Sequence, residues 1–221
     1  MGNLSEQELK ELASQLSHPK GQIGIATAKS MNVANDNMIR NVINQIAIFD
    51  NINILEIGPG NGLHIKYLFE KNPNVKYIGI DISELMVLEA KELNSEFTAS
   101  KKAVFEFTDG EIIEKNDNSL DVIFTVNTIY FWKNPTAYLQ EIFRVLKING
   151  QLIIGFIPKD VMEKIPFTKY GFELYDNKSV QNLLEESGFK IDKVASETEE
   201  VLSSTGDKKI RTFTIIKAFK K

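Results

Sequence analysis

The sequence predicts a doubly wound α/β fold on a seven-stranded mixed sheet, in which parallel strands are followed by a final antiparallel hairpin. From residue 51 onward, short apolar runs alternate with segments of helical periodicity, the pattern of a sheet whose strands are joined by helices. The runs are nearly continuous, as at residues 122–124 (Val-Ile-Phe), which suits strands covered on both faces. Two more strand-like runs after Gly188 flank a short polar loop at residues 203–207, and they predict the hairpin.

Two helices are predicted ahead of the first strand. Ser5 and Glu8 have the spacing of a capping box, in which each side chain satisfies the other residue's backbone amide. Residues 18–21 (His-Pro-Lys-Gly) break that helix. Asp36 is expected to cap the second helix. Together the two helices form a predicted N-terminal helical cap over residues 1–50.

The remaining elements follow from where apolar runs and helical spacing fall along the chain. Helices are expected around residues 63–68, 86–97, 139–146 and 180–184, the third closed by a turn at Asn149-Gly150. Residues 158–175 are aromatic and rich in turns, so they are expected to form a lid. The terminal lysines Lys217, Lys220 and Lys221 are expected to solvate an edge strand. The seven strands are expected at residues 52–57, 75–80, 103–107, 120–126, 151–157, 190–195 and 210–219.

Length and composition exclude several classes of protein. The 221 residues correspond to one domain, expected to span 1–221, and the formal net charge of -4 argues against a nucleic-acid partner. The absence of cysteine rules out thiolate metal sites and cysteine nucleophiles, and two histidines leave little for a histidine site, so no metal is expected. No apolar run approaches the roughly 18 residues of a membrane span, and the polar start is unlike a signal peptide, so no membrane association and a cytoplasmic location are expected.

The glycine-rich segment at residues 55–62 (Leu-Glu-Ile-Gly-Pro-Gly-Asn-Gly) is the strongest sign of a binding site. It follows a predicted strand and precedes a helix, where glycines let the backbone turn sharply and approach a ligand. A plain strand-to-helix turn is the alternative. Gly58 and Gly60 fit the dinucleotide fingerprint, but Leu63 stands where that fingerprint has its third small residue. Asp81 ends the second strand about 20 residues later, where a carboxylate can accept from ribose hydroxyls, or cap a helix.

These motifs together resemble the class I S-adenosylmethionine-dependent methyltransferases, in their small-molecule branch. The resemblance runs from about Asp36 to the C-terminus. It includes the glycine segment, Asp81, the segment 107–110 (Phe-Thr-Asp-Gly) after the third strand, and the fourth strand, 121–127. It implies a Rossmann-like fold, S-adenosyl-L-methionine as cofactor, a cofactor-binding core at 51–157, and a substrate-side lid with the final strands at 158–221.

The resemblance also implies roles for individual residues. The methionine end of the cofactor would be lined by Glu56, Gly58 and Gly60, and Asp81 would hold the ribose. Ile82 and Met86 would lie beside the adenosine, and the transferable methyl group would lie near Asn127. Asp109 would accept from the adenine amino group, with Gly110 next to it. From the N-terminal cap, Met31 and Asn35 are the expected contacts to the cofactor or the substrate, with an ordinary polar helix face as the alternative.

The chemistry of methyl transfer depends mostly on placement, so a general base is needed only if the acceptor is protonated. Tyr130 is the predicted catalytic residue because it follows strand four at the carboxyl edge of the sheet, although core packing is an equal alternative. His64 is the other candidate, and a solvated position in the first helical turn is the favoured interpretation of it. Aromatic residues at 130–132 and in the lid would line an apolar or cationic acceptor pocket, or pack as a satellite core.

The predicted activity is methyl transfer to a small-molecule acceptor. Strand four continues as Asn127-Thr128-Ile129-Tyr130, without the Asn/Asp-Pro-Pro-Tyr/Phe motif of methyltransferases that modify amino groups of nucleic acids or glutamine. Two alternatives stay open: a non-catalytic module that binds the cofactor, and, less favoured, a nicotinamide-dependent oxidoreductase. The sequence does not distinguish an oxygen, nitrogen or carbon acceptor, nor a monomer from a homodimer.

Overall fold

A seven-stranded sheet forms the centre of the computed structural model, which describes residues 4–47, 51–202 and 208–221. The spatial strand order is β3-β2-β1-β4-β5-β7-β6. The first five strands run parallel, and β7 is antiparallel to both β5 and β6. The strands are β1 (Asn53–Ile57), β2 (Lys76–Asp81), β3 (Ala103–Phe107), β4 (Leu120–Val126), β5 (Leu146–Phe156), β6 (Phe189–Leu202) and β7 (Lys208–Lys220).

This topology confirms the predicted mixed sheet with a final antiparallel hairpin. The polar loop predicted to join the hairpin, residues 203–207, lies outside the described residues. One predicted boundary is wrong. The turn at Asn149-Gly150 does not follow a helix but lies inside β5, where the ladder to β4 shifts from Leu120–Leu146 to Val122–Gln151. The intervening residues bulge out of the ladder, and Asn149 takes a positive φ of 63°.

Helices cover both faces of the sheet, which explains the near-continuous apolar strands. Residues such as Ile54 in β1, Phe124 in β4 and Ile154 in β5 are completely buried. The helices are α1 (Glu6–Ser17), α2 (Gly21–Ile43), α3 (Ile65–Lys71), α4 (Glu84–Leu93), α5 (Ser95–Ala99), α6 (Pro135–Val145), α7 (Lys159–Met162) and α8 (Asn177–Glu186). None of the helices in the described ranges has the length and apolar character to cross a bilayer.

The N-terminal cap consists of α1 and one long helix. The capping box at Ser5 and Glu8 is confirmed: the Ser5 amide donates to the Glu8 carboxylate at 2.7 Å, and the Glu8 amide donates to Ser5 Oγ at 3.3 Å. The predicted helix cap at Asp36 is wrong, because α2 already begins at Gly21. Asp36 lies inside α2 and pairs with Arg40 four residues later, at 2.7 Å. At this spacing an acidic residue supports a helix interior as readily as it caps a helix start.

The prediction that Lys220 solvates an edge strand is wrong, whereas Lys221 is exposed. The strand that carries Lys220, β7, lies between β5 and β6 and is not an edge strand. The Lys220 side chain is buried, and its ammonium donates to the carbonyls of Phe143 at 2.6 Å and Leu146 at 2.8 Å. It also donates to Asn118 Oδ1 at 2.9 Å. These carbonyls belong to the end of α6, so a cation there satisfies acceptors that the helix leaves free.

We expect Lys220→Met to lower the free energy of unfolding by about 2–3 kcal/mol, because it leaves buried carbonyls at the end of α6 without a donor. Urea denaturation measures this change. The neighbouring Lys221→Met, at an exposed position, is the matched control and should change stability by less than about 0.5 kcal/mol. Equal stability of the two variants would show that the ammonium does not hold the helix end.

Candidate active site

A cavity of about 330 Å³ lies along the carboxyl edge of the parallel strands. The residues that follow β1, β2, β4 and β5 line its floor, as expected for ligand sites in open α/β sheets. Helix α2 and the aromatic segment 158–175 contribute the remaining walls. The cavity therefore brings together the strand ends, the N-terminal cap and the predicted lid.

The glycine loop after β1 has a backbone that most side chains would not tolerate. Gly58 has a φ of 71°, its amide donates to the Ile80 carbonyl at 2.8 Å, and a Cβ placed on it would lie 2.5 Å from Thr128 Cγ2. Gly60 has a φ of 57°, but a Cβ placed there would meet no heavy atom within 4 Å. Gly58 is thus required by packing within the protein, whereas Gly60 borders open cavity.

Asp81 connects the glycine loop to the end of β2. Its carboxylate accepts from the Gly60 amide at 3.0 Å and from the Ser83 amide at 2.9 Å. Burial raises the pKa of Asp81 to about 6, with a smaller contribution from the negative charge of Glu56. The cap of helix α4 is Ser83 and not Asp81, because the Ser83 hydroxyl accepts from the Met86 amide at the start of that helix.

Glu56 is buried beneath the loop and held by two neighbours. Its Oε2 accepts from the Tyr77 hydroxyl at 2.5 Å and lies 2.8 Å from His64 Nε2. The favoured interpretation of His64 as a solvated residue is therefore wrong, because its ring is buried and paired with Glu56. Sequence reasoning missed Tyr77. The glycine inside strand β2 is the available signal, because a glycine in a strand often marks a close approach by another group. Gly79 pairs with Glu56 in the ladder, and a Cβ on it would lie 3.0 Å from the Tyr77 hydroxyl.

The residues predicted to hold the adenosine lie together at the β2–β3 side of the cavity. Ile82, Met86, Asp109 and Gly110 all line it. Asp109 is exposed, and its carboxylate accepts from the backbone amides of Glu111 and Ile112, which lowers its pKa. Gly110 has a φ of 77° and packs close to Ile82. The structure shows this placement, and the contacts to an adenine ring stay a prediction.

Tyr130 is placed as a structural residue, which argues against its predicted catalytic role. Its hydroxyl accepts from the Ile157 amide at 2.5 Å and donates to the Ile157 carbonyl at 3.0 Å. It lies 3.2 Å from Asn127 Oδ1 as well. Burial raises the pKa of Tyr130, so the phenol holds its proton more tightly than a free tyrosine. Tyr130 thus tethers the turn after β4 to the end of β5, and its role as a catalytic base stays a prediction.

Asn127 and three residues of α2 also line the cavity. Asn127 follows β4 with a φ of 58°, and its amide donates to the Gly155 carbonyl at 2.9 Å. Met31 and Asn35 of α2 line the cavity, and their contact with a cofactor or substrate stays a prediction. Asn32 was missed by sequence reasoning: its amide donates to Asn61 Oδ1 at 2.9 Å and fastens α2 to the glycine loop.

Aromatic side chains close the cavity on the side of segment 158–175. Phe172 packs on Phe131 with ring centroids 4.6 Å apart and on Phe167 at 5.8 Å. All three line the cavity, as do Trp132 and Tyr130. Among the described residues, no group of three or more His, Cys, Asp or Glu side chains is arranged to hold a metal ion.

Comparison with known proteins places this geometry among methyltransferases. A family model described as a methyltransferase domain matches residues 48–188. The chain is 29% identical over 102 residues to a tRNA U34 carboxymethyltransferase of Helicobacter pylori, a match that covers 46% of this chain and 39% of that protein. The chain thus spans about two fifths of the length of these curated relatives.

Two solved structures share the fold over nearly the whole chain. One belongs to a complex between the Haloferax volcanii Trm112 methyltransferase activator and a protein assigned provisionally as a methyltransferase; it has a TM-score of 0.75 at 13% identity and covers 98% of this chain and 99% of that one. The other is an S-adenosylmethionine-dependent methyltransferase of Aquifex aeolicus, with a TM-score of 0.64 at 22% identity and the same coverage. At these identities the likeness concerns the fold.

We expect Tyr130→Phe to lower the free energy of unfolding by about 1–3 kcal/mol, because the buried Ile157 amide loses its acceptor. Urea denaturation measures the loss. Tyr67→Phe is the control, since its hydroxyl bonds Asn44 at an exposed site, and it should cost less than about 0.5 kcal/mol. A Tyr130→Phe protein as stable as the parent would contradict the tether.

Proposed function

This chain belongs to the methyltransferase-domain family, whose cofactor is S-adenosyl-L-methionine, and we propose that it transfers the methyl group of that cofactor to a small-molecule acceptor. The observation that carries the proposal is a single cavity with a glycine loop and Asp81 toward one end and an apolar, aromatic enclosure toward the other. When bound, the cofactor supplies a methyl group on a positively charged sulfur, and the acceptor's nucleophile bonds the methyl carbon as the carbon–sulfur bond breaks and its electron pair stays on sulfur.

The residues present fit this cofactor. Gly60 borders open space that any larger side chain would fill, so an elongated ligand can lie against the loop backbone. Asp81 follows the glycine loop by about 20 residues, the sequence separation at which a carboxylate binds the ribose hydroxyls in dinucleotide sites. Glu56 contributes a second buried carboxylate to the cavity wall, suited to a cationic ammonium group. We assign Asp81 to the ribose and Glu56 to the methionine end.

The acceptor half of the cavity supports a small molecule. Helix α2 covers it from above, and Phe131, Phe167 and Phe172 enclose it from the side. Such a walled, largely apolar site suits a compact ligand that is buried on most of its surface. The net charge of -4 agrees, because binding a polynucleotide backbone draws on concentrated positive charge.

Positioning accounts for the rate in this proposal. Both candidate bases are engaged elsewhere, Tyr130 with Ile157 and His64 with Glu56. Holding two reactants in line is worth roughly 7–11 kcal/mol in well-oriented systems, and enclosure keeps water out. We therefore expect acceptors whose reacting atom binds with a free lone pair, so that no side-chain base has to remove a proton from it.

Two measurements test the proposal. Thermal unfolding is followed with S-adenosylmethionine, S-adenosylhomocysteine, NADH or NADPH, and a ligand at 100 times its Kd should add about 2.7 kcal/mol, or roughly 5–10 °C. A shift with S-adenosylmethionine and S-adenosylhomocysteine alone is expected.

Transfer of labelled methyl groups is then measured with a small-molecule panel and, in a separate arm, with bulk tRNA. Label only in tRNA would overturn the small-molecule acceptor, a nicotinamide shift would overturn the cofactor, and binding without any transfer would favour a non-catalytic module.

We expect Gly60→Ala to weaken S-adenosylhomocysteine binding about 10- to 100-fold, because the new methyl group projects into the cavity. Calorimetric titration measures the affinity. Gly21→Ala is the matched control: Gly21 has a similar φ of 59°, a Cβ placed on it would likewise meet no heavy atom within 4 Å, and it lies at the start of α2 outside the cavity. Both variants should lose about 1–2 kcal/mol of stability from the left-handed backbone. Equal affinities for the two would contradict the placement of the cofactor.

We expect the affinity for S-adenosylhomocysteine to fall by up to tenfold per pH unit below about pH 6, where Asp81 becomes protonated and accepts fewer hydrogen bonds. Asp81→Asn should bind about 1.5–3 kcal/mol more weakly at pH 7.5 and with a flat profile. The pKa of Asp81 is higher in the folded protein than in the unfolded chain, so protonation of Asp81 stabilises the ligand-free fold as the pH falls. The loss of affinity is therefore not caused by unfolding that follows protonation of Asp81. A titration of the parent protein that is flat from pH 5 to 8 would refute this.

A further inference from the structure

Arg211 lies at the end of the cavity opposite the predicted adenosine site. It belongs to β7, and the ladder pairs Thr214 of β7 with Phe156 at the end of β5. Because β7 runs antiparallel, Arg211 extends past the carboxyl end of β5, where it lines the cavity. Asp81 and Asp109 follow β2 and β3, on the far side of β1 and β4. Arg211 is therefore in the half that the proposed function assigns to the acceptor.

Glu199 and the Ala34 carbonyl hold the guanidinium of Arg211 through its Nε and Nη2 atoms. Its Nε donates to Glu199 Oε1 at 2.8 Å, and its Nη2 donates to the same oxygen and to the Ala34 carbonyl at 2.7 Å. Nη1 carries two N–H groups, and its one hydrogen bond to a described residue is a long approach of 3.4 Å to Asn35 Oδ1. Glu199 itself is more deeply buried and also accepts from Asn37, at 2.9 Å.

A second donor lies beside Nη1. The Asn35 side-chain amide is half-buried, and within the described ranges its Nδ2 donates to the sulfur of Met31 alone, at 4.0 Å. Asn35 and Arg211 both line the cavity, whereas Glu199 does not. Two neighbouring groups thus present N–H donors to the same wall, on side chains already held in place by other contacts. A carboxylate can accept from both groups, and its hydrogen bond to the guanidinium would be charge-assisted.

The surroundings of this wall specify the rest of the ligand. Ile157, Met162, Ile165 and Phe172 line the same half of the cavity. Among the described lining residues, the other lysine or arginine is Lys133, which is exposed and paired with Glu111 near Asp109 on the adenosine side. The acceptor half therefore combines an apolar enclosure with a single guanidinium.

We propose that Arg211 and Asn35 form a carboxylate subsite, and that the methyl acceptor is a small organic acid with an apolar body. The inference rests on the proposed function and names its substrate class. The carboxylate is the anchor that accepts from Arg211 Nη1 and Asn35 Nδ2, and a different atom of the acceptor receives the methyl group. Arg211 is in this sense a specificity-determining residue.

Binding of matched acids and amides tests the subsite. Phenylacetate, 4-hydroxybenzoate and indole-3-acetate are titrated, each against its primary amide, into protein saturated with S-adenosylhomocysteine, with ligand-observed NMR as the readout. At least one acid is expected to bind ten times or more tightly than its amide. Equal affinities within every pair, or no binding by any acid, would overturn the proposal.

Variants separate recognition from folding. Arg211→Gln alone would leave Glu199 buried without its partner, so the test uses Arg211→Gln combined with Glu199→Gln, which removes both charges together. The double variant should lose the preference for acids while its affinity for the amides and for S-adenosylhomocysteine stays within threefold of the parent. A purely structural role would weaken acids, amides and cofactor alike. Lys133→Gln, the matched removal of the other cation, should keep the preference for acids.

The labelled-methyl assay keeps the two proposals distinguishable. Transfer to neutral members of the panel, with none to acids, would overturn the carboxylate subsite and leave the methyltransferase proposal standing. Failure to bind S-adenosylhomocysteine would instead count against the proposed function itself. Transfer to an acid that disappears in the double variant, with cofactor affinity retained, is the result that the subsite predicts.

Discussion

The buried carboxylate of Asp81 is the contact on which the shape of the cavity depends. One side chain at the end of β2 accepts from Gly60 in the loop after β1 and from Ser83 at the turn into α4. It thereby fixes two separate backbone segments relative to each other. A buried carboxylate is costly unless it is hydrogen-bonded, and two backbone donors offset much of that cost. The raised pKa of Asp81 shows that the compensation is incomplete within the protein alone.

Glu56 adds a second negative charge to the same region, and its field contributes to the raised pKa of Asp81. Tyr77 and His64 both contact Oε2 of Glu56, which orients the carboxylate. The cavity is therefore electrostatically suited to a ligand that brings positive charge. The sulfonium and ammonium groups of the proposed cofactor carry such positive charge. The shape of the glycine loop and the charge around it therefore favour the same ligand.

The sequence was sufficient to predict the strand-end residues, because a parallel sheet brings the ends of distant strands to one edge. Gly58, Asp81 and Asn127 could be placed together on that ground. The contacts of Tyr130 could not be predicted, since its partners are backbone atoms of Ile157 that carry no side-chain signature. The start of α2 was missed because the Asp36–Arg40 pair looks the same in sequence inside a helix as near a cap.

The two halves of the cavity are built differently, and this explains why the acceptor is harder to infer than the cofactor. The half that we assign to the cofactor consists of loops that directly follow β1, β2 and β3, so its shape is set by the sheet itself. The acceptor half is assembled from α2, segment 158–175 and β7, and the bond between Asn37 and Glu199 joins residues 162 positions apart. A side chain such as Arg211 can change there without altering the contacts of Asp81. Substrate choice can therefore vary on a constant cofactor site, and only the packed structure brings its determinants together.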